Sequence, residues 1–339
     1  MTRPLYPIVS CRLSPAPFLR VIYIYFLMTK SYLSSEDKLL QDIVALMDSS
    51  DLPPWQKPWS GHAGNHRNLI SGHEYRGANP LLLEMGMMMR DSTTPLWIGS
   101  GQAKAEGWHP KKGSRSVRIL RPQLNQRDVL DDQGNKKLDS NGDPEISAWL
   151  SYKVVPVFNV ADIQGSTPDT QAVLDRLIEE ALGQVESAVE DKQRVHEAEV
   201  AIDAWPVPIK HGGAMACYSS TLDRIMLPKP EAFISRETYL ATKLHEMAHS
   251  TGHHSRLARP LGNRFGSKAY AREELIAEFG SVLACLRLGI GYQLEHHASY
   301  LKSWAKHLKD GGSKELLKVL SEARQAADLI APETELEAG

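Results

Sequence analysis

His245-Glu246-Met247-Ala248-His249 places two histidines four residues apart around a glutamate, in a stretch that Ser235 can cap and Gly252 can stop. The spacing predicts one helix from Ser235 to about Thr251. Residues four apart on a helix share a face, so both imidazoles can hold one zinc-sized ion while Glu246 lies beside them to polarise a water. Such a pair needs a third ligand from another element. The segment Glu273-Glu274-Leu275-Ile276-Ala277-Glu278-Phe279 predicts it, on a second helix from about 269 to 288 with Glu274 and Glu278 on one face. Glu274 is the expected metal ligand. Glu278, one turn on, would accept a hydrogen bond from the far nitrogen of a ligand histidine. The reverse assignment of the two glutamates stands as the alternative, and Leu275, Ile276 and Phe279 argue against a merely solvated face.

If this cluster is catalytic, the ion lowers the pKa of a water, and Glu246 takes its proton and later hands it to a leaving amine, which is peptidase chemistry. The expected strand Arg224–Leu227 would align an extended peptide. His253 and His254 are candidate oxyanion stabilisers or ordinary loop histidines, with Tyr218 and Tyr270 as further candidates. Zinc is the default for this ligand set, although two histidines and a carboxylate also hold Mn2+ or another divalent ion.

The 339 residues, 42% hydrophobic and 24% charged, suffice for about two soluble domains and exclude disordered, collagen-like and coiled-coil classes. Cys11, Cys217 and Cys285 lack paired spacing, which excludes a secreted disulfide scaffold and makes the cytoplasm the expected location. The apolar run Phe18–Met28 is 11 residues long and contains Arg20, too short for a membrane span. Residues 1–28 read as translated sequence upstream of a Met28 start, as a disordered or locally packed extension, or as a weak signal peptide. No membrane partner is expected.

Beyond the leader, the pattern predicts an amphipathic helix over about 34–47, a short helix near 80–90 and strands at 96–98, 116–120 and 149–160. The segment 128–147 reads as a polar hairpin loop. A long helical stretch follows from Thr170 to about Glu199, so the expected domains are 29–165 and 166–330, with a flexible tail at 331–339. In the second, Met215–Ser219 and Arg224–Leu227 should form a hairpin, and helices are expected at 294–309 and 313–329.

The formal charge of −2 advertises no nucleic-acid partner until it is divided by segment. Residues 1–28 carry +3, 29–165 carry 0 and 166–339 carry −5. Within the middle segment, the window Gly101–Arg121 holds Lys104, Lys111, Lys112, Arg115, Arg118 and Arg121 against Glu106 alone. Trp55, Trp59, Tyr75, Trp97 and Trp108 are interleaved with Lys57, Arg67, Arg76 and this basic window. Aromatic faces for bases and cations for phosphates are what single-strand binding requires. Core anchors of an irregular domain are the competing reading of the same tryptophans.

The chain resembles the ArdC-type antirestriction proteins of mobile elements, whose N-terminal module is similar to that of plasmid TraC-type primases. The resemblance rests on Asn68 with Ser71–Asn79 (SGHEYRGAN), Gln102–Lys104, Gly107–Gly113 (GWHPKKG) and Val157–Val160. It continues through Leu244–His253 (LHEMAHSTGH), Arg256-Leu257, Tyr270–Phe279 (YAREELIAEF) and His297–Trp304. It implies an α+β protein, with a mixed single-stranded-DNA-binding domain followed by a mainly helical zincin-like, gluzincin-type domain with a small sheet. It also implies shielding of incoming single-stranded DNA or blunting of host restriction, with a protein substrate or restriction component as a further partner. DNA contacts are then expected at Trp55, Trp59, Tyr75, Arg76, Asn79, Lys104, Trp108, Lys111, Lys112 and Arg115. Two alternatives are a DNA-coating protein whose metal is structural or regulatory, and a metalloprotease with no DNA role. The insert at 128–147 and residues 1–28 have no counterpart in the family pattern.

Overall fold

The spacing of Leu39, Ile43, Val44 and Met47 folds Ser35–Asp48 into helix α1, with those four side chains buried. The structure is a computed structural model that describes residues 33–49, 66–90, 92–186, 191–292 and 298–333. The leader, Trp55, Trp59 and the tail beyond 333 lie outside these residues. Among the described residues, no helix is long and apolar enough to cross a membrane.

The N-terminal elements are β1 (Arg67–Asn68), α2 (Asn79–Met88), β2 (Leu96–Ile98), α3 (Ser100–Ala105), β3 (Trp108–Pro110), β4 (Val117–Asp128), β5 (Ile146–Asn159) and β6 (Ile163–Gly165). One sheet has the order β1-β2-β5-β4, parallel only between β1 and β2, and β3 pairs with β6. β4 and β5 form a long ribbon, in register from Val117↔Val157 to Asp128↔Ile146. The expected polar loop is therefore shorter than 128–147 suggested. Its tip holds two further turns, in which Asp131 accepts from the backbone of Gln133 and Asn135, and Asp139 from that of Asn141 and Asp143.

The chain continues through α4 (Pro168–Glu186), α5 (Asp191–Asp203), β7 (Ile209–His211), β8 (Cys217–Ser219), β9 (Arg224–Leu227), α6 (Arg236–Ser250), α7 (Lys268–Leu288) and α8 (Ala298–Ile330). Leu174 of α4 is buried with Leu69, Leu96, Ile98 and Trp108 of the N-terminal layer. The main core also draws on both ends of the chain, because α1 packs against α8 and its Leu39 and Ile43 join Leu316 and Leu320 there. α8 breaks at Gly312, whose φ of 71° is left-handed, so the two expected helices are halves of one kinked element.

Helix α6 starts where expected, with Ser235 Oγ accepting from Thr238 N at 3.1 Å. It packs against α7, and α7 against α8. Gly280 on α7 lies at this three-helix contact. A Cβ there would sit 3.2 Å from the carbonyl of Ala323, 3.3 Å from Ala326 Cβ and 3.7 Å from Ala248 Cβ. The turn between β8 and β9 is tied to the end of α6 by Arg256, which donates to both oxygens of Asp223 and, at 2.7 Å, to the carbonyl of Ser250. Asp223 has a φ of 40°, a conformation that aspartate tolerates better than most side chains.

Gly280→Leu is expected to overpack this contact, costing about 1–3 kcal/mol and lowering the thermal midpoint in calorimetry. Arg256 holds Asp223 at about 2 against an ordinary 3.8. A depressed carboxylate contributes stability above its ordinary pKa and loses it as pH falls through the folded value. Arg256→Gln is therefore expected to be less stable than wild type in urea titrations at pH 7. The gap should narrow between about pH 4 and pH 2, where the wild-type ion pair is itself titrated away.

Candidate metal centre

One face of α6 carries His245 and His249, and α7 brings Glu274 opposite them. The ligand atoms of His245, His249 and Glu274 lie within 4.8 Å of one another. Glu274 Oε2 is 3.8 Å from His245 Nε2, and its Oε1 is 3.6 Å from His249 Nε2. Both Nε2 atoms thus face one carboxylate. Each Nδ1 faces a different one: His245 Nδ1 is 3.4 Å from Glu278 Oε2, and His249 Nδ1 is 3.2 Å from Glu273 Oε1. A carboxylate can only accept, so the proton belongs on Nδ1 and the Nε2 lone pair is left for a metal. The donor set and its outer partners fit a divalent ion.

Glu278 is fully buried, 0% exposed at its side chain, and is also hydrogen-bonded to Tyr292. Glu273 is clamped by Arg259, whose Nε and Nη2 donate to its two oxygens at 2.9 and 2.8 Å. Arg259 also donates to Thr251 Oγ1 and to the carbonyl of Ala248, both at 2.8 Å, so it fixes the end of α6 and the Glu273 carboxylate together. Burial opposes charge on His245, yet hydrogen bonding to Glu274 and Glu278 outweighs it and holds its pKa well above the ordinary range. Burial likewise opposes ionisation of Glu274, but the two histidines and Tyr270 draw its pKa down to about 2. Glu246 is buried on the same helix, and its charge adds to burial in raising the pKa of the Cys217 thiol on β8.

Glu273 and Arg259 carry no signal in the histidine motif itself; the doublet Glu273-Glu274 is the trace they leave in the sequence. β9, Arg224–Leu227, is the central strand of the order β7-β9-β8, so both of its edges are already paired. β9 therefore has no free edge for an extended peptide, and the edge strands of this sheet are β7 and β8. Tyr218 donates to Asp223 at 2.7 Å, and His253 Nδ1 lies 2.7 Å from Ser255 Oγ, so both are engaged locally. His254 is exposed beside His253, with ring centroids 4.0 Å apart.

The expected DNA residues separate by burial. Trp108 is 2% exposed and its indole donates to the carbonyl of Thr170 at 2.8 Å, while Tyr75 packs with Leu83 and Trp97. Asn79 is buried and holds the backbone of Leu120 through both of its amide atoms, at 2.9 and 2.7 Å. The rings of Trp108 and Tyr75 thus lie in cores with no free face, and the Asn79 side chain is committed to the backbone of Leu120. Arg76 is half-buried, whereas Lys104, Lys111, Lys112 and Arg115 are exposed. Lys111 Nζ donates to the carbonyl of Ala161 at 2.8 Å.

Residues 34–158 match the N-terminal domain of the anti-restriction factor ArdC, and residues 196–319 match a zincin-like metallopeptidase family. The crystal structure of the antirestriction ArdC protein from the R388 plasmid, in metal-free form, is 28% identical. It has a TM-score of 0.59 and the match covers 87% of this chain and 96% of that one. Its Mn(II)-bound form is 27% identical, with a TM-score of 0.57 and the same coverage. The DNA primase TraC of Escherichia coli is 35% identical over 82% of this chain, which spans only 25% of the primase. The protein y4eC of Sinorhizobium fredii is 28% identical over 86% of this chain and 90% of its own length. Two consecutive domain matches and an almost full-length structural match make this chain a member of the ArdC-type family, an ArdC N-terminal domain joined to a zincin-like metallopeptidase domain.

Proposed function

We propose that this protein is a mobile-element antirestriction factor that binds single-stranded DNA through residues 29–165 and carries a zinc-dependent peptidase site in residues 166–330. The observation that carries the reading is the convergence of His245, His249 and Glu274 within 4.8 Å, with both far nitrogens on carboxylates, in a chain that also bears the ArdC N-terminal domain. His245, His249 and Glu274 hold the ion, which when bound supplies Lewis-acid polarisation and makes water acidic near neutral pH. The carboxylate of Glu246 accepts the proton of the attacking water and returns it to the leaving amine nitrogen. The outer edge of β8 gives an extended peptide a strand to pair with. The surface cations Lys104, Lys111, Lys112 and Arg115 supply phosphate contacts. A restriction component is the protein substrate this reading favours, and the cytoplasm is where it would meet one.

Elemental analysis of the purified full chain is expected to find one divalent ion per chain. Glu274→Ala should abolish it, while Glu273→Gln or Arg259→Leu should weaken affinity by about 10–100-fold. Glu246→Gln should keep the ion yet lose protection of unmodified incoming DNA in a restricting host. Full protection by the metal-loaded Glu246→Gln protein would replace the peptidase reading with a DNA-coating protein whose metal is structural or regulatory.

A further inference from the structure

Antiparallel register places β4 and β5 residues of one rung on the same face, and successive rungs alternate. At the base of the ribbon both faces are covered. Ile119 and Val157 pack into a core with Trp97 and Leu83, and Leu120 and Val154 join the main core on the opposite face. Arg118 is tied to Asp42 of α1 at 2.5 Å. From the Arg121↔Lys153 rung outward, every residue of both strands is exposed or half-buried. The distal ribbon is therefore a two-faced projection.

Its two faces differ in chemistry. One carries Tyr152, Leu124, Leu150 and Ile146. The other carries Arg121 and Lys153 on one rung, Trp149 opposite Asn125, and Arg127 on the next rung of that face. Trp149 is 46% exposed, and the Arg127 guanidinium lies 5.6 Å from its ring centroid. Asn125 donates to Ser151 Oγ at 2.7 Å between the two cationic rungs. No carboxylate among the described residues lies within ion-pair distance of Arg121, Arg127 or Lys153. At the ribbon tip, Asp128 pairs with Lys136 at 2.8 Å and Glu145 with Lys137 at 2.9 Å, while Asp131 and Asp139 accept backbone hydrogen bonds of their own turns.

The geometry points to this face of the ribbon as a binding site for single-stranded nucleic acid, with Trp149 as the stacking platform and Arg121, Lys153 and Arg127 as phosphate contacts. Arg127 lies six positions beyond Arg121 along the strand, about 20 Å, which matches a few nucleotides of extended single strand. Unpaired cations on a face with an exposed indole complement a polyanion with accessible bases, and a duplex keeps its bases stacked away from such a platform. The inference rests on the single-strand reading above and supplies the exposed aromatic that the buried Tyr75 and Trp108 do not.

The test uses the full chain and a fluorescein-labelled oligothymidylate read by anisotropy across a salt series. Trp149→Ala should weaken binding by about 5- to 150-fold, and Trp149→Tyr should restore most of it. The triple variant Arg121→Gln, Lys153→Gln, Arg127→Gln should reduce the slope of log affinity against log salt by about 2. Leu124→Ser with Leu150→Ser, on the opposite face, should bind as wild type. If wild type binds with salt dependence and the Trp149 and triple variants bind equally well, the ribbon assignment is wrong and the single-strand reading survives. No binding by wild type overturns both. Binding of a polyglutamate peptide with the same Trp149 dependence, in place of the oligonucleotide, would assign the face to an acidic protein segment instead.

Discussion

The metal centre depends on how closely α7 approaches α6. His245 and His249 ride on one helix and Glu274 on the other, and a coordination sphere tolerates errors of only about 0.2 Å. Gly280 permits that approach because it adds no side chain between Ala248, the neighbour of His249, and the backbone of α8 at Ala323. The same contact buries Glu278 completely and most of Glu273. A buried carboxylate without a partner is strongly destabilising, so each is matched: Glu278 with His245 and Tyr292, Glu273 with Arg259 and His249. Those pairings point both Nε2 atoms at Glu274. Folding stability and ligand geometry rest on one set of interactions.

A parallel economy governs the N-terminal half, where satisfied polar atoms decide which aromatics are framework. Trp97 is fully buried and its indole donates to His66 Nδ1 at 3.1 Å, as that of Trp108 does to Thr170. Trp97 belongs to the small core that grips one face of the ribbon base, with the main core on the other, while Trp108 sits in a separate core with Leu174; the outer half of the ribbon is left in solvent. The cations at Lys104 to Arg115 and those on the ribbon then belong to one region of sequence whose positive charge the chain's near-neutral total conceals.

Local periodicity made the helices legible. The four-residue spacings of His245 with His249 and of Glu274 with Glu278 fix faces before any tertiary contact is known. Glu273 was not legible as a partner of His249, because its role depends on the angle at which two helices cross and on Arg259 arriving from a loop. The strand order was hidden for the same reason: a hairpin reading pairs β8 with β9 but cannot reveal that β7 occupies the other edge of β9. The outer part of β4, residues 121–127, gives no strand signal because a strand exposed on both faces lacks apolar alternation, while Asp131, Gly134, Asp139 and Gly142 advertise turns at the tip. For Tyr75 and Trp108 the sequence leaves base-stacking and core readings open, because composition records an aromatic but not which way its rung or loop faces; both rings are buried.

The most direct test of the account is X-ray absorption spectroscopy of the full chain loaded with Zn2+ or Mn2+. The expected spectrum has nitrogen and oxygen neighbours only, with the multiple-scattering signature of two imidazoles bound through Nε2 and a carboxylate, and loss of one imidazole in His249→Ala. A sulfur scatterer, or a shell without imidazole, would place the ion away from His245, His249 and Glu274 and contradict it.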